Sequence, residues 1–154
     1  MTVVDSAPVT TGADTVSVAS LAYQWALSAP EQLAMREKDF GIWKEYNWAD
    51  TWELVELAAH GLLALGIEAG DRVSIHSEDR PEWVILDLAT VAIRGVTVGL
   101  YPTNPTAEVQ YMLADCGATV HFAEDQEQYD KVLGADQSVL TGVSKILFVE
   151  PRGM

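Results

Sequence analysis

Apolar positions recur in two rhythms along this chain, and their alternation predicts an α/β fold. Residues 1–16 are rich in Ser, Thr, Val and Ala, follow neither rhythm, and read as a flexible lead-in. Residues 18–29 carry Leu21, Trp25 and Leu27 before Pro30, which predicts a short helix. The run QLAMREKDFGIWKEYNW reads as two strands around the turn Lys38–Asp39–Phe40–Gly41, an antiparallel hairpin.

A strong helical period follows. Trp48, Trp52, Val55, Ala59, Leu62 and Leu65 recur at spacings of three and four, which puts them on one face and marks both tryptophans as core residues. Asn47 is its expected N-cap, with Asp50 three residues on, and Gly66 suits a left-handed exit. Residues 72–76 read as a strand. Pro81 and Glu82 then suit the first turn of a helix, and residues 83–93 are apolar nearly all round, so that helix is expected to be buried. Gly95 ends it. Residues 96–101 form an almost continuous apolar run, as on the inside of a parallel sheet. Asn104 and Pro105 open another helix that Gly117 caps. Residues 118–122 make a strand, 126–133 a helix ended by Gly134, and 144–149 a final strand. Strand and helix alternate throughout this half. The expected fold is a partial doubly wound parallel sheet flanked by helices, preceded by the short helix and the hairpin.

Charge removes several function classes. The 154 residues include 23 Asp or Glu against 9 Lys or Arg, a formal net charge of −14. Nucleic acid needs a basic patch, and the few cations here are scattered, so no nucleic-acid partner is expected. Attraction to anionic lipid is disfavoured for the same reason. No apolar run approaches the roughly 20 residues that span a bilayer. The N-terminus lacks the basic and apolar regions of a secretory signal, and a cytoplasmic protein is the simplest reading.

Candidate chemistry is sparse. Cys116 stands alone, so neither a disulfide nor a cysteine metal site can form within the chain, and it reads as a structural thiol. His60, His76 and His121 have no metal-ligand spacing. Ligands of an open parallel sheet bind beyond the carboxyl ends of its strands. Those ends carry Ser77–Glu78–Asp79–Arg80, Tyr101–Pro102–Thr103–Asn104 and Glu124–Asp125, and none contains the Gly that a phosphate loop needs. Glu78 with Asp79, and Glu124, Asp125, Glu127 and Asp130, are explained as acids favoured at helix starts. The residues by themselves therefore lead to an acidic α/β domain without a visible active site.

Residues 46–95, YNWADTWELVELAAHGLLALGIEAGDRVSIHSEDRPEWVILDLATVAIRG, resemble the start of an adenylate-forming, AMP-binding enzyme. Its landmarks come in order: an aromatic and acidic helix start, GLLALGIEAGDRV, DRPEW, and an apolar helix ending in Gly. The following VTVGLYPTNPTAEVQYMLADCGATVHFAEDQEQYDKVL is similar to the long-chain fatty-acyl-CoA synthetase branch, through its YPT turn and EDQEQYDKV segment. The resemblance covers residues 17–150. It implies an ATP- and Mg²⁺-dependent ligase that converts a fatty acid to its acyl-adenylate and then to the CoA thioester. The family's phosphate loop, Mg²⁺ residues and catalytic lysine have no counterpart here, so no catalytic, cofactor-binding or metal residue carries over. ATP, Mg²⁺ and CoA belong to the full-length family, and none is expected to bind this chain alone. Tyr101, Pro102, Thr103 and Asn104 match the family as a structural turn that positions the next helix. Residues 17–154 then read as the N-terminal part of a synthetase domain cut before the phosphate loop. The expected partners are the remainder of the synthetase or a second copy, with a fatty acid bound by the whole enzyme and the whole enzyme peripheral to a membrane.

Overall fold

The computed structural model describes residues 16–138 and 140–148. Nearly all of the expected lead-in, and the end of the last expected strand, lie outside them. The elements run α1 (Val18–Ser28), β1 (Leu33–Asp39), β2 (Ile42–Asn47), α2 (Trp48–Ala64), β3 (Arg72–His76) and α3 (Pro81–Ala92). They continue with β4 (Val96–Leu100), α4 (Thr106–Cys116), β5 (Val120–Ala123), α5 (Gln126–Leu133) and β6 (Lys145–Phe148).

β1 and β2 pair as an antiparallel hairpin, with Lys38 opposite Trp43 and Arg36 opposite Glu45. The other strands form one parallel sheet in the order β4-β3-β5-β6. Alternation along β3 and β5 divides the core between its two faces. Val73 and Val120 turn toward α2 and α3 and pack with Val55, Leu62, Ile85 and Ala89. A second cluster, Leu100, Val109, Leu113, Ala118 and Val132, joins α4 and α5 to the opposite face. The doubly wound arrangement follows because each crossover must cover a sheet face that water would otherwise wet.

Helix ends show how closely local signals dictate the fold. The Asn47 side chain accepts from the Asp50 N–H at 2.8 Å and starts α2. At its other end Gly66 takes φ 89°, and the Ile67 and Gly66 N–H groups donate to the Leu62 and Leu63 carbonyls at 3.1 and 3.0 Å. That pair of bonds is a Schellman exit. The end of α3 repeats this motif with a different residue in the left-handed position. Arg94, not Gly95, has the positive φ of 67°. Gly95 is needed for space, since a Cβ there would lie 2.9 Å from Thr90 Cγ2 and 3.1 Å from the Thr90 carbonyl oxygen.

The expected helix α1 carries Leu21, Trp25 and Leu27 at 47, 47 and 65 % exposure, whereas Ala19 and Ala22 are buried. α1 packs against both α2 and α3. A helix seated close on two others turns its small side chains inward and carries its large ones outward. The expectation that residues 96–101 lie inside the sheet is corrected: among the described residues β4 has a strand on one side only. It lies at the edge of the sheet, with Val96 and Gly99 exposed. Trp48 and Trp52 do pack against the core, half-buried, with Trp48 stacked on Trp25 at 6.0 Å. Among the described residues, no helix is long and apolar enough to cross a membrane.

Candidate functional site

The carboxyl ends of β3, β4 and β5 meet along one rim of the sheet. Parallel pairing brings His76 beside Leu100 on one side and Ala123 on the other, so the three following turns are neighbours although far apart in sequence. Glu124 organises this rim. Its backbone N–H donates to the His76 carbonyl at 3.0 Å. Its carboxylate accepts from the Glu78 N–H at 2.7 Å and from Arg80 Nη1 at 3.2 Å. Arg80 Nε donates to Glu82 at 2.8 Å. Burial on its own would raise the Glu82 pKa, but the Arg80 hydrogen bond and charge outweigh it and hold that carboxyl below its usual range.

The turn after β4 is tied from three sides. Asn104 Oδ1 accepts from the Tyr101 N–H at 2.8 Å, and Asn104 Nδ2 donates to Glu108 in the first turn of α4 at 2.7 Å. Lys131 of α5 donates to the Pro102 carbonyl. His76 Nε2 lies 3.1 Å from the Tyr101 carbonyl oxygen. A carbonyl only accepts, so Nε2 carries the hydrogen and Nδ1 is the bare nitrogen. Thr103 is exposed on this turn.

Beneath the rim, His76 and His121 are fully buried with ring centroids 5.7 Å apart. His121 Nδ1 meets Ser74 Oγ at 2.8 Å. Burial and the nearby Lys131 push the His76 pKa down to about 4. Burial, then the charge of His76, pushes His121 down to about 3. Both rings are neutral at physiological pH. His60, by contrast, is exposed on α2. Cys116 is half-buried, and that burial pushes its thiol up, away from the thiolate a nucleophile needs.

The helix starts at this rim differ in the backbone donors they present. A helix N-terminus holds phosphate through free N–H groups. α3 opens on Pro81, which has none, and in α4 the Glu108 and Val109 N–H groups donate to the Pro105 carbonyl at 2.9 and 3.1 Å. At α5 the Glu127 and Gln128 N–H groups already donate to Asp125 Oδ1 at 2.9 and 3.3 Å. Glu78 and Asp79 are exposed rather than drawn into one pair. Glu127 engages Lys131 at 2.9 Å, so the acids of residues 124–130 are dispersed. Among the described residues no three carboxylate, imidazole or thiol groups are placed to hold a metal ion. Many of the rim's polar groups bond to one another or to backbone, while His76 Nδ1, His121 Nε2 and Gln128 Oε1 are buried with no hydrogen-bond partner among the described residues. Sequence reasoning placed its turns at one end of the sheet but missed the Arg80–Glu124 and His76–Tyr101 links, which depend on strand order. An arginine and a glutamate at two predicted strand ends were the only available signal.

Comparison with known proteins supplies what the rim does not. The AMP-binding enzyme family matches residues 23–152. The long-chain-fatty-acid–CoA ligase FadD15 of Mycobacterium bovis is 35 % identical over 133 residues, covering 86 % of this chain. ACSBG1 of Bos taurus, a ligase of the same description, is 32 % identical over 100 residues, 65 % of this chain. The chain spans 22 % of the length of the first and 14 % of the second. A fatty acyl CoA synthetase of Mycobacterium tuberculosis superposes with a TM-score of 0.78 at 22 % identity, over 85 % of this chain and 26 % of that one. The N-terminal domain of FACL13 from the same organism gives 0.79 at 21 %, over 88 and 34 %. At those identities the structures show a shared fold. Together with the sequence match over most of its length, they establish that this chain belongs to the AMP-binding enzyme family and is related to long-chain-fatty-acid–CoA ligases.

Proposed function

We propose that this chain forms the opening α/β unit of an ATP-dependent long-chain-fatty-acid–CoA ligase and performs no step of the reaction by itself. The relationship to FadD15, close across 86 % of this chain but spanning 22 % of that protein, carries the proposal. The sheet rim supports it, because the Glu78 and Glu127 N–H groups and Arg80 are engaged by the carboxylates of Glu124 and Asp125. ATP, Mg²⁺, CoA and the fatty acid are then held by the rest of the enzyme, including a phosphate loop beyond this sequence. Residues 17–154 are the structural unit, residues 1–16 its lead-in, and the turn Tyr101–Asn104 sets the start of α4. The whole enzyme works in the cytoplasm and touches the membrane only peripherally. The test is ATP–pyrophosphate exchange by the purified chain with fatty acids of several lengths. No exchange above the blank is expected, and clear exchange would overturn the claim.

A second reading, a separate non-catalytic partner for a full-length synthetase or a dimerisation module, is favoured by the open edge of β4 and the exposed apolar side chains of α1. Size exclusion with light scattering separates the two. A monodisperse monomer, together with an in-frame continuation of the coding DNA past codon 154, would exclude the second.

A further inference from the structure

The β1–β2 hairpin is anchored at one end and free at the other. At its base Met35 packs against the core and Tyr46 is buried. At its tip the backbone turns through Phe40 and Gly41, with Asp39 paired opposite Ile42. Both turn residues have positive φ, 44° and 84°, as a two-residue turn that matches the twist of its strands requires. Glycine and asparagine take that conformation at little cost, whereas a bulky side chain is strained in it. Phe40 holds it nevertheless, and is 89 % exposed. A Cβ on Gly41 would meet no atom within 4 Å, so the tip stands clear of the rest of the molecule. Just behind it, Ile42 is 73 % and Trp43 52 % exposed. Cations come next. Arg36 and Lys38 lie 4.7 and 5.8 Å from the Trp43 ring centroid, and Lys44 lies 4.9 Å from that of Tyr46.

We infer that this tip inserts into the interfacial layer of a zwitterionic lipid bilayer, with Phe40 and Ile42 leading, Trp43 at head-group level, and Lys38 and Lys44 beside the lipid phosphates. The order of side chains along the hairpin selects that partner. Successive cross-strand pairs are about 3.4 Å apart, so Ile42 and Trp43 follow the apex at roughly 3 and 7 Å, and Lys44 at roughly 10 Å. An element lying in a membrane interface sinks its apolar part by about 5–10 Å, and tryptophan rings settle among the head groups. That is the depth at which the apolar residues here end and the cations begin. A protein partner would need a pocket fitted to the protruding ring, whereas a fluid interface yields to a wedge of any shape. Charge narrows the choice of lipid. The net charge of −14 opposes approach to an anionic surface, and Glu37 and Glu45 stand opposite Lys44 and Arg36, so apolar insertion carries the contact. The strained Phe40 acquires a reason, since asparagine would relax the turn but remove the leading apolar group. The tip thereby gives the peripheral membrane contact proposed above, on which this assignment rests, a surface of this chain.

Co-sedimentation of the full 154-residue chain with sucrose-loaded phosphatidylcholine vesicles tests this, and saturable binding is expected. F40N should weaken that binding about tenfold. It should also raise the melting temperature by about 2–4 °C, because asparagine tolerates the left-handed turn. The opposite signs separate a membrane wedge from a residue that serves the fold alone. Vesicles with brominated acyl chains should quench tryptophan fluorescence, and W43F should remove most of that quenching although the other tryptophans remain. Both substitutions fall on exposed side chains, and circular dichroism checks the fold. If F40N unfolds, the quenching comparison between W43F and the unaltered chain decides. Equal binding by F40N and the unaltered chain overturns the assignment to the hairpin and leaves a membrane contact elsewhere on the chain. No binding by either also overturns it, and any membrane contact of the whole enzyme then lies outside this chain. Binding seen only with phosphatidylglycerol vesicles overturns it too, because charge would then be the cause. So do dimers, detected by light scattering, that F40N dissolves, since a second copy would then cover the tip. None of these outcomes bears on ATP–pyrophosphate exchange, so failure here leaves the ligase proposal standing.

Discussion

Arg94 holds a left-handed backbone that a glycine would occupy without strain, while Gly95 beside it lies outside that region and has no room for a methyl group. The pair yields opposite expectations. Gly95→Ala forces its Cβ against Thr90 and is expected to cost about 1–3 kcal/mol. Arg94→Gly relieves the φ of 67° and is expected to stabilise by about 0.5–1 kcal/mol. Thermal unfolding of both variants checks this, and a stable Gly95→Ala protein would show that the Thr90 turn yields more easily than its packing implies. The buried histidines set a pH dependence. Their folded pKa values, about 4 and about 3, lie below the ordinary 6.5, so the unfolded chain binds more protons between those limits. Stability is therefore complete above about pH 6.5 and is lost as pH falls toward about 4. Each ring should remove about 2 kcal/mol between about pH 7.5 and about pH 5, before most carboxylates titrate. Urea unfolding at several pH values measures it, and a flat profile over that window would contradict the burial of the two rings. Sequence pattern placed both histidines on strands. It could not place them against each other, because their proximity depends on β3 and β5 being neighbours.

Among the elements, α4 shows how a helix end can be finished by a distant side chain. Gly117 takes the left-handed C-cap with φ 61°. Arg72, at the start of β3, donates through Nε to the Cys116 carbonyl at 2.8 Å and through Nη2 to the Gly117 carbonyl at 2.9 Å. A guanidinium at a helix C-terminus satisfies carbonyls that have no partner within the helix and complements the negative end of the helix dipole. Arg72→Met keeps the length and removes both bonds, and should destabilise the protein by about 1.5–3 kcal/mol. Equilibrium denaturation tests it, and a loss under about half a kilocalorie would mean that solvent replaces the guanidinium freely. The glycine cap was legible from Gly117 after the apolar period of α4, but the Arg72 cap was not, since 44 residues separate donor and acceptor. α1 shows the converse. Its helical spacing was legible, but which face it buries was not assigned from sequence, because the choice between Ala22 and Leu21 belongs to the helices it meets.

For the whole molecule, a net charge of −14 on 154 residues means that folding brings mutually repelling carboxylates together. Raising sodium chloride from about 20 mM to about 500 mM shortens the screening length from some 20 Å to about 4 Å. The melting temperature should then rise by roughly 2–4 °C for each kcal/mol of repulsion relieved. An unchanged or lower value would show that the local pairs Arg80–Glu82, Arg80–Glu124 and Lys131–Glu127 outweigh the long-range term. By itself the sequence determined the kind and order of the elements, since the periods of helix and strand, Asn47 at a helix start, and Gly66 and Gly117 at helix ends are all local signals. It also determined the family, through landmarks whose order survives without any coordinates. Tertiary structure alone decided that β4 is an edge, that α1 turns alanines inward, and that Glu124 spends its carboxylate on Glu78 and Arg80. Each of these depends on which elements become neighbours, and that choice is made by the burial of whole faces rather than by the residues adjacent in the chain.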